Sequence, residues 1–207
     1  MELDDCIKGR RSVRAYKEQA VPREIIESIL EAGVWAPTGM NTQPWRFIVI
    51  EDKGIIKLIS DQTKQVLLKT LPAFAEKFAA GAISEEAKQA LQKKLLGYAQ
   101  RFATEEDIIC YKAPVLILIC TEVIPFASLK EDSVLAAQNM FLKAYSLGLG
   151  TCYMGFIDMM NRIQPAVLKK AVGVPEGYEV QVPFTLGYPK SEQGTGKRNQ
   201  PSILKWT

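Results

Sequence analysis

The sequence predicts helices and strands mixed within one domain, and three observations carry that expectation. Apolar runs of strand character at 46–51, 114–120 and 177–189 are separated by segments whose apolar residues recur at helical spacing. No stretch of linker composition and no internal repeat divides the 207 residues. A chain of that length suits one domain, or one domain with a helical insertion, and buries roughly 70% of its unfolded surface without a metal or disulfide staple.

Residues 3–8 are expected to form a short helix that Gly9 ends. Arg10-Arg11-Ser12-Val13-Arg14-Ala15-Tyr16 follows. Extended, it places Arg10, Ser12 and Arg14 on one face and Arg11, Val13 and Ala15 on the other. Pro22 suits the N1 position of a second helix carrying Ile25, Ile26, Ile29 and Leu30. That helix should end near Trp35, because Pro37 disfavours helical angles in the residue before it. Residues 46–51 read as a buried strand, after which Asp52 is placed to cap a helix with Ile55, Ile56, Leu58 and Ile59.

From about 63 to 107 the chain is polar and helical in character, with Leu67, Leu68, Leu71, Phe74 and Phe78 as its apolar stripe. Gly81 interrupts the stripe, and Ser84-Glu85-Glu86-Ala87 resembles a fresh helix start. This helical excursion covers a pocket or a partner, or is simply solvated.

Pro114-Val115-Leu116-Ile117-Leu118-Ile119-Cys120 is a continuous apolar run, the pattern of a central strand buried on both faces. Asp132 to Leu147 reads as a helix with Leu135, Ala136, Met140, Ala144 and Leu147 on one side. The glycine series from Gly148 to Gly155 follows a helix, not a strand, so it is no dinucleotide fingerprint. Its glycines allow close backbone approach, or merely a turn. Asp158 is expected to cap a helix reaching about 171. The tail at 190–207 ends in Ile203, Leu204 and Trp206, residues compatible with docking on a partner chain or with a frayed end.

Composition excludes several functions. Hydrophobic residues at 47% and charged residues at 24% are ordinary globular values, and 26 Lys+Arg against 23 Asp+Glu is too even for a general nucleic-acid binder. Histidine is absent, which removes the commonest general base and metal ligand and excludes Ser-His-Asp and Cys-His chemistry within the chain. Cys6, Cys110, Cys120 and Cys152 lack CxxC spacing, so no metal site is expected. With no signal-peptide h-region and no apolar run of roughly 18 residues, no membrane association is expected. The expected location is cytoplasmic, with reduced thiols.

Two stretches hold the candidate chemistry. Ala36-Pro37-Thr38-Gly39-Met40-Asn41-Thr42-Gln43-Pro44-Trp45 combines prolines, a glycine and short polar side chains between a helix and a strand. It reads as a rigid platform for a flat polar ligand, or as an ordinary connection whose Trp plugs the core. The guanidiniums and hydroxyl of Arg10, Ser12 and Arg14 suit a phosphate, because Arg offers bidentate donors; the bland alternative is a solvated basic segment.

These stretches, with Ala113-Pro114-Val115-Leu116-Ile117, Ala137-Gln138-Asn139-Met140, Leu147 to Gly155 and Leu186-Gly187-Tyr188-Pro189, resemble the FMN-dependent nitroreductase family in order and spacing. The resemblance implies an α+β fold, a mixed sheet flanked by helices, in an intertwined homodimer with two FMN sites at the interface. It implies that Arg10, Arg11, Ser12 and Arg14 bind the FMN phosphate and reach toward the ring. It further implies that Pro37, Thr38, Gly39 and Asn41 lie against the flavin held by the other subunit. Backbone N–H groups at Met154 and Gly155 would approach the isoalloxazine N5 edge. Lys197 and Arg198 fall where C-terminal basic residues meet the phosphate, and Lys69 where a further polar contact is expected. Many members carry Glu at the position of Met154, and Asn199-Gln200-Pro201 follows Arg198 where more basic residues are common.

The implied activity is a ping-pong oxidoreductase with tightly bound FMN, taking electrons from NAD(P)H and passing them to nitroaromatics, quinones or similar small acceptors. No catalytic side chain is assigned, since the chemistry belongs to the flavin. Alternatives are a specialised relative (a reductive dehalogenase or a flavin-fragmenting enzyme) and a flavin-binding protein without turnover. A nucleic-acid role for the Arg10–Arg14 cluster is disfavoured by the near-neutral charge and the lack of interleaved aromatics.

Overall fold

Everything packs around the strand that the apolar run announces. In the computed structural model, which describes residues 1–79, 84–125, 127–194 and 196–206 except the side chains at 74–79, 87 and 91, strand β2 (Val115–Glu122) is buried at every position but Glu122. Alternation sends Leu116, Leu118 and Cys120 to one face and Val115, Ile117 and Ile119 to the other, where each joins a separate hydrophobic cluster. Leu116 to Ile119 are all at 0% exposure, and each contributes about 1.5–3 kcal/mol by burial.

Four strands form the sheet in the order β1-β2-β4-β3, with β1 Trp45–Ile50, β3 Gly150–Tyr153 and β4 Tyr178–Gly187. All three pairings are antiparallel, and a register shift at Ile119/Cys120 bends the β2–β4 ladder. Helices cover both faces. Helices α2 (Arg23–Val34) and α5 (Leu129–Ser146) bury Ile26, Ile29, Ala136, Met140 and Ala144 against one face. Helices α3 (Lys53–Ala79), α6 (Gly155–Ile163) and α7 (Pro165–Val172) bury Ile56, Ile59, Leu67, Ile157, Met160 and Leu168 against the other. Helix α1 (Leu3–Gly9) packs on α5, and α4 (Glu85–Phe102) lies along α3. The α+β class with helices on both sides of a sheet is therefore observed.

Several expectations change in detail. Pro22 is the N-cap of α2, not its first helical residue. Asp52 caps as expected, its Oδ1 accepting the Ile55 N–H at 2.9 Å. The helix it starts continues through Pro72 to Ala79, so the first part of the excursion is an extension of α3. Gly81, the expected break, and the side chains of Phe74 and Phe78 lie outside the described residues. The fresh start at Ser84 is present as α4.

Leu135 and Leu147, expected on the buried side of α5, are 45% and 39% exposed, because the α5 face turned to the sheet is narrower than the apolar pattern suggests. The glycine series contains the strand β3, unrecognised because four residues with a leading glycine make a weak strand signal. Asp158 caps nothing. It lies inside α6, buried, with Lys130 and Arg162 as partners, and Pro165 starts α7 as a separate helix.

Candidate functional site

The site grows from the free edge of β3. Ser12 forms a parallel bridge with Thr151 there, and the Val13 N–H donates to the Thr151 carbonyl at 3.0 Å. Along Arg10–Arg14 the segment is extended as expected, with Val13 turned inward and Ser12 and Arg14 outward; beyond it the alternation fails, Ala15 being exposed and Tyr16 buried, because that end leaves β3 and pairs with Pro189. Gly150 makes the approach possible: a Cβ there would sit inside the Val13 side chain. Buried Tyr16 locks the far end, donating to the Val13 carbonyl at 2.9 Å and meeting Thr185 Oγ1 at 2.8 Å.

Arg10 and Arg11 stand at the beginning of this segment with the C-terminal tail against them. Gly196 lies against the Arg11 guanidinium, close enough that a Cβ would stand 2.7 Å from Nε. Burial, then the charges of Arg11 and Arg198, lowers the Arg10 pKa, as like charges gathered together do. Arg11 Nη1 donates to the carbonyls of Lys8 and Arg10, while its Nε is buried without a partner among the described residues, as is Thr151 Oγ1. An orphaned guanidinium donor among converging cations fits an anion with several acceptor oxygens, such as a phosphate.

A cavity of 620 Å³ opens at the other end of the segment, lined by Arg14, Cys152, Met154 and Gly155 from this edge. Its opposite wall includes Tyr98 and Arg101 of α4, Tyr111 and Phe156. Tyr98 and Phe102 meet Phe156 edge-on, with ring centroids 5.0 and 5.1 Å apart, which holds α4 over α6. The Met154 N–H donates to the Pro183 carbonyl at 2.9 Å, so it is engaged within the chain. Gly155 opens α6, where backbone N–H groups have no intrahelical acceptor. Burial pushes the Cys152 thiol up, and nearby Arg14 only partly opposes it, so this cysteine stays a protonated packing group.

Of the residues expected from the sequence, Arg10, Arg11, Ser12, Arg14, Met154, Gly155 and Arg198 thus fall in one region, with Lys197 next to Arg198 in the tail. Two groups fall elsewhere. Lys69 is exposed on α3 and lies off the cavity wall. The loop of Pro37, Thr38, Gly39 and Asn41 sits at the far end of α5, with the Gly39 N–H facing Asp132 Oδ1 at 3.4 Å and buried Trp45 donating through Nε1 to the Asp132 carbonyl at 3.2 Å. Gly9, next to Arg10, packs on Tyr145 near the other end. Asp132 and Tyr145 are separated by about 20 Å of helix at 1.5 Å per residue, so the loop is remote from its own chain's arginines. Met40, Asn41 and Gln43 there have φ of 53°, 54° and 46°.

Sequence reasoning missed Tyr98, Arg101, Tyr111 and Phe156. Tyr98 and Arg101 belong to a helix whose polar pattern says only that it is exposed, and nothing local reveals what it covers. Tyr111 and Lys112 adopt φ of 57° and 53°. Such angles cost about 1–2 kcal/mol for each non-glycine residue, a cost that no sequence pattern announces.

The fold and the docked Arg10–Tyr16 segment define an α+β protein with clustered arginines beside a polar, aromatic-walled cavity. The chain belongs to the nitroreductase family of oxidoreductases, whose family model matches residues 7–188. It is 28% identical over 216 residues to a Methanothermobacter thermautotrophicus protein named "Putative NADH dehydrogenase/NAD(P)H nitroreductase", covering 100% of this chain and 88% of that one. Among solved structures, a nitroreductase with bound FMN from Bacteroides fragilis is 27% identical, with a TM-score of 0.71, covering 100% of this chain and 98% of that one. An oxidised iodotyrosine deiodinase bound to FMN and 3-iodo-L-tyrosine is also 27% identical, with a TM-score of 0.72 and all of both chains covered.

Proposed function

We propose that the protein is an FMN-dependent enzyme that passes electrons from NAD(P)H to nitroaromatics, quinones or similar small acceptors, with donor and acceptor using the cavity in turn. The observation that carries this reading is the convergence of Arg10, Arg11 and Arg198, with the Arg11 Nε orphaned, at one end of a segment whose other end lines the cavity. Bound FMN supplies the hydride and electron transfer.

The residues of the chain have the remaining work. Arg10, Arg11, Ser12, Lys197 and Arg198 hold the phosphate through charge-assisted hydrogen bonds. Arg14 would stabilise negative charge at the pyrimidine edge, and the backbone of Met154 and Gly155 would border the N5 edge, the Met154 N–H being already engaged by the Pro183 carbonyl. Lys69 is not needed. No side chain is assigned as acid or base.

The assembly proposed is a homodimer in which Pro37, Thr38, Gly39 and Asn41 complete the partner's site. Its support is the remoteness of that loop from its own chain's arginines, and the apolar surface around it. Trp35 and Met40 are each 79% exposed there. A single domain and a cytoplasmic location complete the reading. All four cysteines are free and buried, and among the described residues no helix is long and apolar enough to cross a membrane.

A second reading, reductive dehalogenation of an aromatic acceptor, is favoured by the likeness to iodotyrosine deiodinase along the whole chain. One experiment separates the readings. The purified protein is loaded with FMN, reduced anaerobically with NADH or NADPH, and mixed with a nitroaromatic, a quinone or 3-iodo-L-tyrosine while the flavin spectrum is followed. Reoxidation by the first two supports the leading reading, and reoxidation by the iodinated acceptor alone supports the second. A protein that takes up no FMN refutes both.

A further inference from the structure

Of the residues lining the cavity, Tyr111 alone has a left-handed backbone. With Lys112 it forms the centre of a turn closed by the Ala113 N–H donating to the Cys110 carbonyl at 3.0 Å. Two positive φ values inside such a closure make a type I′ turn, a conformation that Gly, Asn and Asp favour and Tyr-Lys does not. The turn is imposed from outside by Asp107. Its Oδ1 accepts from the N–H groups of Ile109 at 3.2 Å and Cys110 at 2.8 Å, and from Ser60 Oγ at 2.7 Å. Its Oδ2 accepts the Lys112 N–H at 2.8 Å. Ser60 belongs to α3, so one carboxylate ties the strained turn to the main helix of that face.

The outcome is the placement of the Tyr111 ring. It stands in the cavity wall with Arg14 and Cys152 and packs on the cluster of Val13, Tyr16 and Ala113, which carries the Arg14 backbone. Burial is the largest influence raising the Tyr111 phenol, and the Arg14 guanidinium acts on it in the opposite sense, as a close neighbour would. Arg14 itself is exposed. A long exposed side chain keeps many rotamers unless a neighbour restricts them. Strain held at a cavity wall by a dedicated carboxylate points to a placement that matters there.

We propose that Tyr111 is a positioning residue for Arg14: the Asp107 clamp holds its phenol where it keeps the guanidinium directed into the cavity, toward the negative charge that FMN gains on reduction. This rests on the FMN reading above. It concerns the preference for reduced over oxidised cofactor, a property that a purely structural tyrosine would leave alone.

The test compares wild type, Tyr111→Phe and Asp107→Asn by fluorescence titration with FMN and by the midpoint potential of the bound flavin, with circular dichroism as the fold control. Tyr111→Phe keeps the ring and loses only the hydroxyl. The expected result is that affinity for reduced FMN falls about tenfold more than affinity for oxidised FMN, which lowers the two-electron potential by about 30 mV. Asp107→Asn shifts it in the same direction. A folded Tyr111→Phe protein with wild-type affinity and potential overturns the inference while the FMN reading stands. A wild type that binds no FMN overturns both.

Discussion

Lys130 Nζ and Asp158 Oδ1 lie 2.7 Å apart, joining the first turn of α5 to α6 around a carboxylate only 3% exposed. Arg162 binds the other oxygen, and Lys130 also donates to the Gln181 carbonyl, so the pair fastens both helices to β4 beside β3. Burial alone would raise the Asp158 carboxyl. Hydrogen bonds from Lys130, Arg162 and Tyr153 outweigh it and hold the pKa below the usual 3.8.

Asp158→Asn should therefore destabilise the fold. Removing one member of a buried pair costs about 3–5 kcal/mol. Here Lys130 and Arg162 are 37% and 72% exposed, so part of their charge stays solvated and about 2 kcal/mol is expected. Because the folded-state pKa is depressed, this contribution is complete above the unfolded value of 3.8 and is lost as pH falls through the lower folded value. Urea unfolding of wild type and variant at pH 7 and at pH 3 checks both statements: the stability gap narrows at the lower pH.

Gly150→Ala places a methyl in the space of the Val13 side chain. Overpacking of this kind costs about 1–3 kcal/mol, and it pushes the Arg10–Arg14 segment away from β3. Denaturant midpoints should fall, and FMN affinity should drop several-fold although residue 150 touches no proposed ligand atom. Unchanged FMN affinity in a folded Gly150→Ala protein would show that the segment's docking on β3 does not shape the site.

Arg10→Ala and Arg198→Ala should each weaken FMN binding roughly 10- to 100-fold, the loss expected for one charge-assisted hydrogen bond. The apo proteins should keep or slightly raise their melting temperature, since burial and like charges already disfavour the Arg10 cation. Differential scanning fluorimetry with and without FMN reads both effects. A fall in apo stability equal to the loss of the ligand-induced gain would make these arginines structural.

Trp35→Glu should yield a monomer by sedimentation and bind FMN more weakly. Trp35 and Met40 are exposed together at the loop assigned to the partner's site. If the variant remains a dimer with undiminished FMN affinity, that loop does not complete the partner's site.

Much of this architecture is readable from local pattern. An uninterrupted apolar run needs two covered faces, so β2 could be assigned as the central strand before its neighbours were known. The alternation in Arg10–Arg14 likewise foretold that Val13 turns inward and Ser12 and Arg14 outward, though not that Tyr16 is buried and Ala15 exposed, and Pro22, Pro37 and Asp52 marked helix boundaries to within a residue or two. These features depend on forces between residues close in sequence, or on the simple choice between water and interior.

What only the tertiary structure decided lies between distant segments. β3 exists because β4 and Ser12 pair with it, not because Gly-Thr-Cys-Tyr is a strong strand former. Asp158 is an ion-pair centre because α5 brings Lys130 to it, although the same sequence position looks like a helix cap. Tyr98 on α4 and Tyr111 on a strained turn share a cavity with Arg14 because helix packing and the Asp107 carboxylate place them there. The sequence by itself determined which residues seek burial and which carry charge. Packing decided which of those charges and rings face one another, because that depends on contacts between residues tens of positions apart.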